Sequence, residues 1–151
     1  MQQRIEQFLG LSMALTGFSR VQLLGTAMIA EYLRTLDAVL PQGVLDELLS
    51  AYERLPTGAD REVAITAQIL GDPKLGPVAR NLILLWYCGS WTILPDAWRA
   101  AYGISPYDTT HVVSADAYQA GLQWLAAGAH TAGSRQQGFG AWSMAPGGNL
   151  L

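Results

Sequence analysis

Apolar side chains recur every three to four residues through the first half of the chain, which is the spacing of amphipathic α-helices. A first helix is predicted from about residue 4 to Leu15, ending at Thr16-Gly17. Ser19 is a suitable N-cap for a second helix that continues to about Ala38. A third is predicted over 43–55. The apolar positions that define the three are Ile5, Phe8, Leu9, Leu11 and Leu15; Val21, Leu24, Met28, Tyr32 (or Ile29) and Leu36; and Val44, Leu45, Leu48, Leu49 and Tyr52.

The middle of the chain is predicted to supply the central helix. A short helix over 60–70 is followed by a break, after which Asp72 can act as an N-cap with Pro73 in the first helical position. Residues 78–91 are apolar nearly all round, which is typical of a helix buried on every side. The pattern does not tell whether Leu84 or Leu85 faces the densest packing.

Shorter elements are predicted after the central helix. Pro95 and Asp96 open a helical turn that Gly103 closes, and residues 111–113 begin as a short extended piece. Ser114 then caps a helix with three large apolar side chains at helical spacing, namely Tyr118, Leu122 and Leu125. The predicted fold class is therefore mainly α, a single-domain bundle of about five to seven helices.

The C-terminal part of the chain combines many glycines with two large aromatic residues. Phe139 and Trp142 lie there, and Arg135 is the only charged side chain after Ala126. Disordered segments normally carry charge and lack large aromatic residues, so these two rings are expected to dock on a protein surface. Docking on another chain is favoured over folding back onto this chain's own helices. The predicted division is a helical domain over 1–132 and an extended arm over 133–151.

Composition narrows the classes of partner. Only 14% of the residues are charged and the net charge is −3, which leaves an apolar surface suited to an interface, or else a compact monomer with a small, polar, uncharged surface. The basic residues are spread singly, so no nucleic-acid partner is expected. The apolar stretch 82–94 is shorter than the roughly twenty residues that span a bilayer, so no membrane span is predicted. Cys88, the only cysteine, excludes an internal disulfide.

A search for catalytic chemistry finds no constellation. The two histidines, His111 and His130, lack the spacing of helical metal ligands. No glycine-rich phosphate loop precedes a helix. The carboxylates of Asp96, Asp108 and Asp116 could form an acid–base pair, but a role at a helix start is favoured for Asp96 and Asp116. No catalytic, cofactor-binding or metal residues are therefore predicted in this chain.

The second half of the chain is rich in aromatic residues, and all five tryptophans lie between Trp86 and Trp142. Trp86, Tyr87 and Trp91 are expected to be ordinary core residues. The alternative is a small helical enzyme or ligand-binding domain in which these three and Trp98 line a pocket. Because tryptophan and tyrosine are enriched at protein interfaces, a partner-binding role is predicted for four further aromatic residues together with one arginine. These residues are Tyr118, Trp124, Arg135, Phe139 and Trp142.

Four segments occur in an order that resembles one family. They are "FLGLSMALTG" from Phe8, "LILLWYCGSW" from Leu82, "SADAYQAGLQWLAAGAH" from Ser114, and "QQGFGAW" ending at Trp142. From Phe8 to Pro146 the chain resembles the small subunit of bacterial FAD-dependent, membrane-associated sugar and polyol dehydrogenases of the sorbitol and fructose dehydrogenase type. None of the segments is a chemical motif, so the resemblance rests on their order and spacing.

The resemblance implies a chain without catalysis of its own. In that family a large subunit binds FAD and oxidises the sugar, and a multihaem cytochrome c subunit passes electrons to quinone. The small subunit binds the large one and supports its maturation and export. FAD is therefore expected in the partner and not in this chain. Export in the family usually uses a twin-arginine leader, but only seven residues precede Phe8. The implied location is periplasmic, with the complex at the inner membrane, if a leader has been removed, and cytoplasmic otherwise.

Overall fold

Local capping sets where several helices begin. The computed structural model describes residues 1–129. The Ser19 hydroxyl accepts from the Gln22 N–H at 3.2 Å, and the Gln22 side chain accepts from the Ser19 N–H at 2.9 Å. The Ser114 hydroxyl accepts from the Ala117 N–H at 3.0 Å. A carboxylate oxygen of Asp72 accepts from two successive N–H groups, each at 2.8 Å. Ser19 and Ser114 are confirmed as N-caps. The central helix begins at Leu75 with Lys74 in the N-cap position, so Pro73 lies before the first helical position and Asp72 bonds to the start of the helix from outside it.

The seven predicted helical regions are all helical, and the mainly α fold class is confirmed. The helices are α1 (Gln2–Thr16), α2 (Arg20–Gly25), α3 (Ile29–Val39), α4 (Val44–Glu53), α5 (Arg61–Ile65), α6 (Leu75–Cys88), α7 (Asp96–Tyr102), α8 (Ala115–Ala120) and α9 (Leu122–Ala126). A 3-10 turn (Gly58–Asp60) precedes α5 and a π-helical turn (Thr66–Leu70) follows it. Two short strands, β1 (Ser90–Trp91) and β2 (His111–Val112), pair antiparallel, with Ser90 opposite Val112 and Trp91 opposite His111.

Helix α6 is the centre of the core, as predicted. The fully buried Trp86 stacks on Phe8 of α1 with 6.0 Å between ring centroids and meets the edge of Tyr32 of α3 at 4.9 Å. Its indole N–H donates to the Ser12 hydroxyl at 2.9 Å, so this polar pair is satisfied inside the core. Leu85 packs in the same core with no exposed surface. Three helices distant in sequence are thus joined around one tryptophan.

The predicted second helix is divided in two, which corrects the expected burial of its first turns. Ala27 adopts a positive φ of 60°, and the Thr26 hydroxyl donates to the Leu23 carbonyl at 2.6 Å, which ends α2. The break rotates α2 relative to α3, so the repeat that continues through the sequence does not continue on one face. Val21 and Leu24, expected on the buried face, are exposed, and Leu23 is buried instead.

The predicted last helix is also divided, because it lies directly on the C-terminal end of α6. A Cβ atom at Gly121, between α8 and α9, would lie 2.6 Å from the carbonyl oxygen of Tyr87. A Cβ atom at Gly89, just after α6, would lie 2.4 Å from the backbone of Ala117. Only glycine permits backbones to approach this closely. The two glycines therefore fix α8 and α9 against α6.

A buried carboxylate holds the loop between α7 and β2. Asp108 is almost fully buried and accepts from the Trp91 indole N–H at 2.8 Å and from the Leu94 N–H at 3.2 Å. Arg99 of α7 forms an ion pair with its second oxygen, with 3.3 Å between the atoms. These contacts give the buried charge partners on two sides, which is what a buried carboxylate requires.

Candidate docking surface

The residues that were candidates for acid–base or metal chemistry lie at helix starts or make local contacts in the fold. Asp96 and Asp116 lie in the first turns of α7 and α8, where negative charge is favourable. Asp108 belongs to the loop network described above. His111 is exposed, with Nδ1 2.5 Å from the Thr109 carbonyl oxygen. Within residues 1–129, no group of three or more His, Cys, Asp or Glu side chains is placed to hold a metal ion; His130 lies outside the described residues.

The aromatic residues of the alternative pocket pack into the body of the protein instead. Trp86, Trp91 and Trp98 are all buried, and the Trp98 indole N–H donates to the Lys74 carbonyl at 2.7 Å. The half-buried Tyr87 donates its hydroxyl to the Thr16 carbonyl at 3.2 Å. None of the four lines either of the two surface depressions described below. Their expected role as core is confirmed for Trp86 and Trp91.

Exposed apolar side chains occur on α2, near the start of the chain, and on α8 and α9, near the end of the described residues. On α2, Val21 is 79% exposed and Leu24, one turn later on the same side, is also exposed. On α8 and α9, Tyr118 and Leu125 are exposed, the latter at 56%. Together with the half-buried Trp124, these residues form what we call the docking surface.

A groove of about 300 Å³ lies between α2 and the α8–α9 pair, and two residues of the docking surface, Trp124 and Leu125, line it. Its α2 wall is formed by Gln22, Gly25 and Thr26, and the opposite wall includes Leu122, Trp124 and Leu125. Ala129, the last described residue, also lines it. The groove is shallow and open to solvent, which suits a protein segment better than an enclosed small molecule.

Two of the predicted partner-binding residues are brought together here. The rings of Tyr118 and Trp124 meet edge to face with 5.5 Å between centroids, and the Trp124 indole N–H donates to the Tyr118 carbonyl at 2.9 Å. The bend at Gly121 makes this contact possible, because it turns α9 back over α8. The other three predicted residues, Arg135, Phe139 and Trp142, lie outside the described residues.

The docking surface is free of charge. No charged residue occurs in 21–30 or in 117–129, and every residue lining the groove is uncharged. The nearest charge in sequence, Arg20, donates two hydrogen bonds to Glu6 of α1 at 2.7 and 2.8 Å. This pairing with Arg20 lowers the pKa of Glu6 below its ordinary value. Exposed apolar side chains without interspersed charge are typical of an interaction site.

A second depression, of about 340 Å³, lies between α3 and the loop that leads to β2. It contains several hydroxyl and imidazole groups together with apolar side chains. Its lining residues are Thr35, Ala38, Val39, Pro106, Tyr107, Thr109, His111 and Val113. Neither Tyr118 nor Trp124 lines this depression, whereas Trp124 lines the groove.

The sequence did not predict that the apolar residues of α2 in the docking surface are exposed. Val21 and Leu24 match the period of a buried helical face, and that match predicted them as core. The sequence does contain a contrary feature, since Gly25-Thr26-Ala27 follows them and glycine is unfavourable within a helix. A helix boundary predicted at this position would have removed the reason to expect Val21 and Leu24 on the buried face.

The close approach of Gly121 to α6 makes a testable prediction about how the groove is held. Gly121→Ala is expected to lower the free energy of unfolding by about 1–3 kcal/mol, because the added carbon meets the Tyr87 carbonyl oxygen. Gly25→Ala is the matched control on the opposite wall, where an added Cβ meets nothing within 4 Å. It should be neutral or slightly stabilising. Urea unfolding of both variants measures this, and a wild-type midpoint for Gly121→Ala would contradict the packing described.

Comparison of the chain with protein-family models, with curated proteins and with solved structures gives no match. Among residues 1–129, none of the helices combines the length and the apolar character needed to cross a bilayer.

Proposed function

We propose that this chain is a non-catalytic small subunit that binds the FAD-containing large subunit of a sugar or polyol dehydrogenase and supports its maturation, stability or export. The observation that carries the proposal is the docking surface, a set of uncharged, exposed apolar side chains that includes an aromatic pair. Such a surface gains free energy when another protein removes it from water, at about 25 cal/mol per Å² of apolar area. Aromatic residues contribute most of the energy at such interfaces.

The segments that carry the family resemblance have a structural meaning in this protein. "FLGLSMALTG" lies in α1 and supplies Ser12, which accepts the hydrogen bond from Trp86 in "LILLWYCGSW". "SADAYQAGLQWLAAGAH" includes α8 and α9, which Gly89 and Gly121 hold against the end of α6. The resembling positions are thus residues that pack the scaffold and present the docking surface. This supports a shared scaffold role and adds no catalytic motif.

The polar side chains in the core support the same division of labour. Ser12 accepts from a tryptophan, and Asp108 accepts from a tryptophan and a backbone N–H while pairing with Arg99. Groups held this way already have partners, and a nucleophile or general base must be free to meet a substrate. In the proposed complex, the flavin chemistry and the sugar-binding pocket therefore belong to the large subunit.

The proposal is tested by asking whether a neighbouring reading frame encodes a flavoprotein, and by expressing the full chain alone and together with that product. Alone, the purified chain is expected to show no flavin absorbance and no dehydrogenase activity with sugars and a dye acceptor, even with FAD supplied. Together, the two chains are expected to co-purify with flavin absorbance, and the yield of active flavoprotein should fall when the small chain is omitted. Turnover by the isolated chain would reject the proposal in favour of an enzyme, and failure to co-purify would reject the partner.

A further inference from the structure

We propose that residues 19–27, which contain α2 and which we call the flap, open while the rest of the domain stays folded, and that the ion pair between Glu6 and Arg20 holds the flap closed. The inference rests on the proposed function for its consequence, because α2 contributes Val21 and Leu24 to the docking surface. Opening of the flap displaces both side chains from that surface. The ion pair therefore regulates the site through which this chain is proposed to bind its partner.

The chain changes direction close to both ends of the flap, and the residues that flank it are anchored. Gly17 and Ala27 adopt left-handed φ angles of 77° and 60°. Before the flap, the ring of Phe18 meets the ring of Tyr87 edge to face, with 5.8 Å between centroids. After the flap, Met28 is buried in the core. The flap is thus a short segment suspended between two fixed points.

Few interactions hold the flap to the rest of the domain. Leu23 is the only buried residue of α2. Within the described part of the chain, the hydrogen bonds of residues 19–27 stay inside residues 19–28, except for the two from Arg20 to Glu6. A six-residue helix has little stability of its own, since isolated helices shorter than about 12–15 residues are marginal in water. Segments with these properties open locally at a lower free energy than the whole domain unfolds.

The pair between Glu6 and Arg20 is the polar contact that joins the flap to α1. The guanidinium donates to both carboxylate oxygens, at 2.7 and 2.8 Å. Glu6 raises the pKa of Arg20 just as Arg20 lowers that of Glu6, and within residues 1–129 no third charged group contributes to either change. Both side chains are about half exposed, so the contribution of the pair is modest. A modest contribution is enough to shift the opening of a segment that little else holds.

The test is amide hydrogen exchange measured by NMR on the isolated full chain. In the wild type, the amides of Leu23 and Ala27, whose hydrogen bonds lie inside the flap, are expected to be less protected than those of α6. Glu6→Gln should lower the protection of both about two- to five-fold, the effect expected of an exposed ion pair, and leave α6 unchanged. The swapped pair, Glu6→Arg with Arg20→Glu, should restore the protection.

Glu47→Gln is the matched control, because Glu47 also pairs with a cation on another helical segment, Lys74, at 2.7 Å. Its side chain is 46% exposed, against 45% for Glu6, but neither member of its pair lies in the flap. Protection in the flap should stay at the wild-type level.

Three outcomes would overturn the inference. Protection of Leu23 and Ala27 equal to that of α6 would mean that the flap opens only with the whole domain. An effect of Glu6→Gln no larger than that of Glu47→Gln, or a swapped pair that does not restore protection, would reject the ion pair as the contact that holds the flap. Since the measurement needs no partner subunit, these outcomes are distinguishable from a failure to co-purify with a flavoprotein.

Discussion

Leu85→Ala is expected to lower the free energy of unfolding by about 2–5 kcal/mol, the range measured for removing a fully buried leucine side chain. Leu85 has no exposed surface and lies beside the tryptophan that joins α1, α3 and α6. The substitution leaves a cavity where the surrounding helices cannot close up. Because domains typically have only about 5–15 kcal/mol of stability, this could remove a large part of the total.

Leu84→Ala is the matched control for that prediction, since it removes the same atoms one residue earlier. Leu84 is 43% exposed, so its loss should cost about 0.5 kcal/mol or less. Urea unfolding of the two variants gives both values under the same conditions. Equal destabilisation by the two substitutions would contradict the orientation of α6 described here.

Val21→Asp is expected to weaken the proposed complex with the large subunit by about 30- to 1,000-fold. That range corresponds to the roughly 2–4 kcal/mol that a strong interface residue contributes, at 1.4 kcal/mol for each factor of ten. Val21 is 79% exposed at the start of α2, and burying a new carboxylate against an uncharged surface is costly. The free chain should unfold as the wild type does, because an acidic residue is favourable in the first turn of a helix.

Val63→Asp provides a closely matched control. Val63 is also a valine in the first turn of a short helix, α5, and is 71% exposed, but it does not belong to the docking surface. Its substitution should leave both stability and binding unchanged when measured by thermal unfolding and by titration of the large subunit. A complex that tolerates Val21→Asp but loses affinity with Val63→Asp would place the interface at α5 and not at α2.

The parts of the fold that the sequence predicted well depend on interactions within a few residues. Ser19 and Ser114 were recognised as N-caps because each bonds to a backbone group three positions away. The central helix was recognised because residues 78–91 are apolar nearly all round, although burial is not complete, since Leu84 is exposed.

What the sequence did not predict depends on contacts between distant segments. The periodic pattern gave one helix where Ala27 adopts a positive φ, and it gave a second one across Gly121. The break at Gly121 is fixed by packing against Tyr87, which local propensity does not report, whereas the break after α2 involves a local hydrogen bond from Thr26. The same limit applied to the docking surface, where Tyr118 and Trp124 were predicted individually, whereas their neighbours on α2 could be assigned only from the structure.

The two walls of the groove come from segments that lie far apart in the sequence. One wall comes from residues 22–26 and the other from residues 119–129, so the site is created only when the first and last parts of the described chain have met. Contacts between such distant segments form late, because the loop between them must close first. A protein that binds this groove therefore binds only a chain in which these two segments have already packed together. A chain still on the ribosome, or one broken in the middle, offers only half a site.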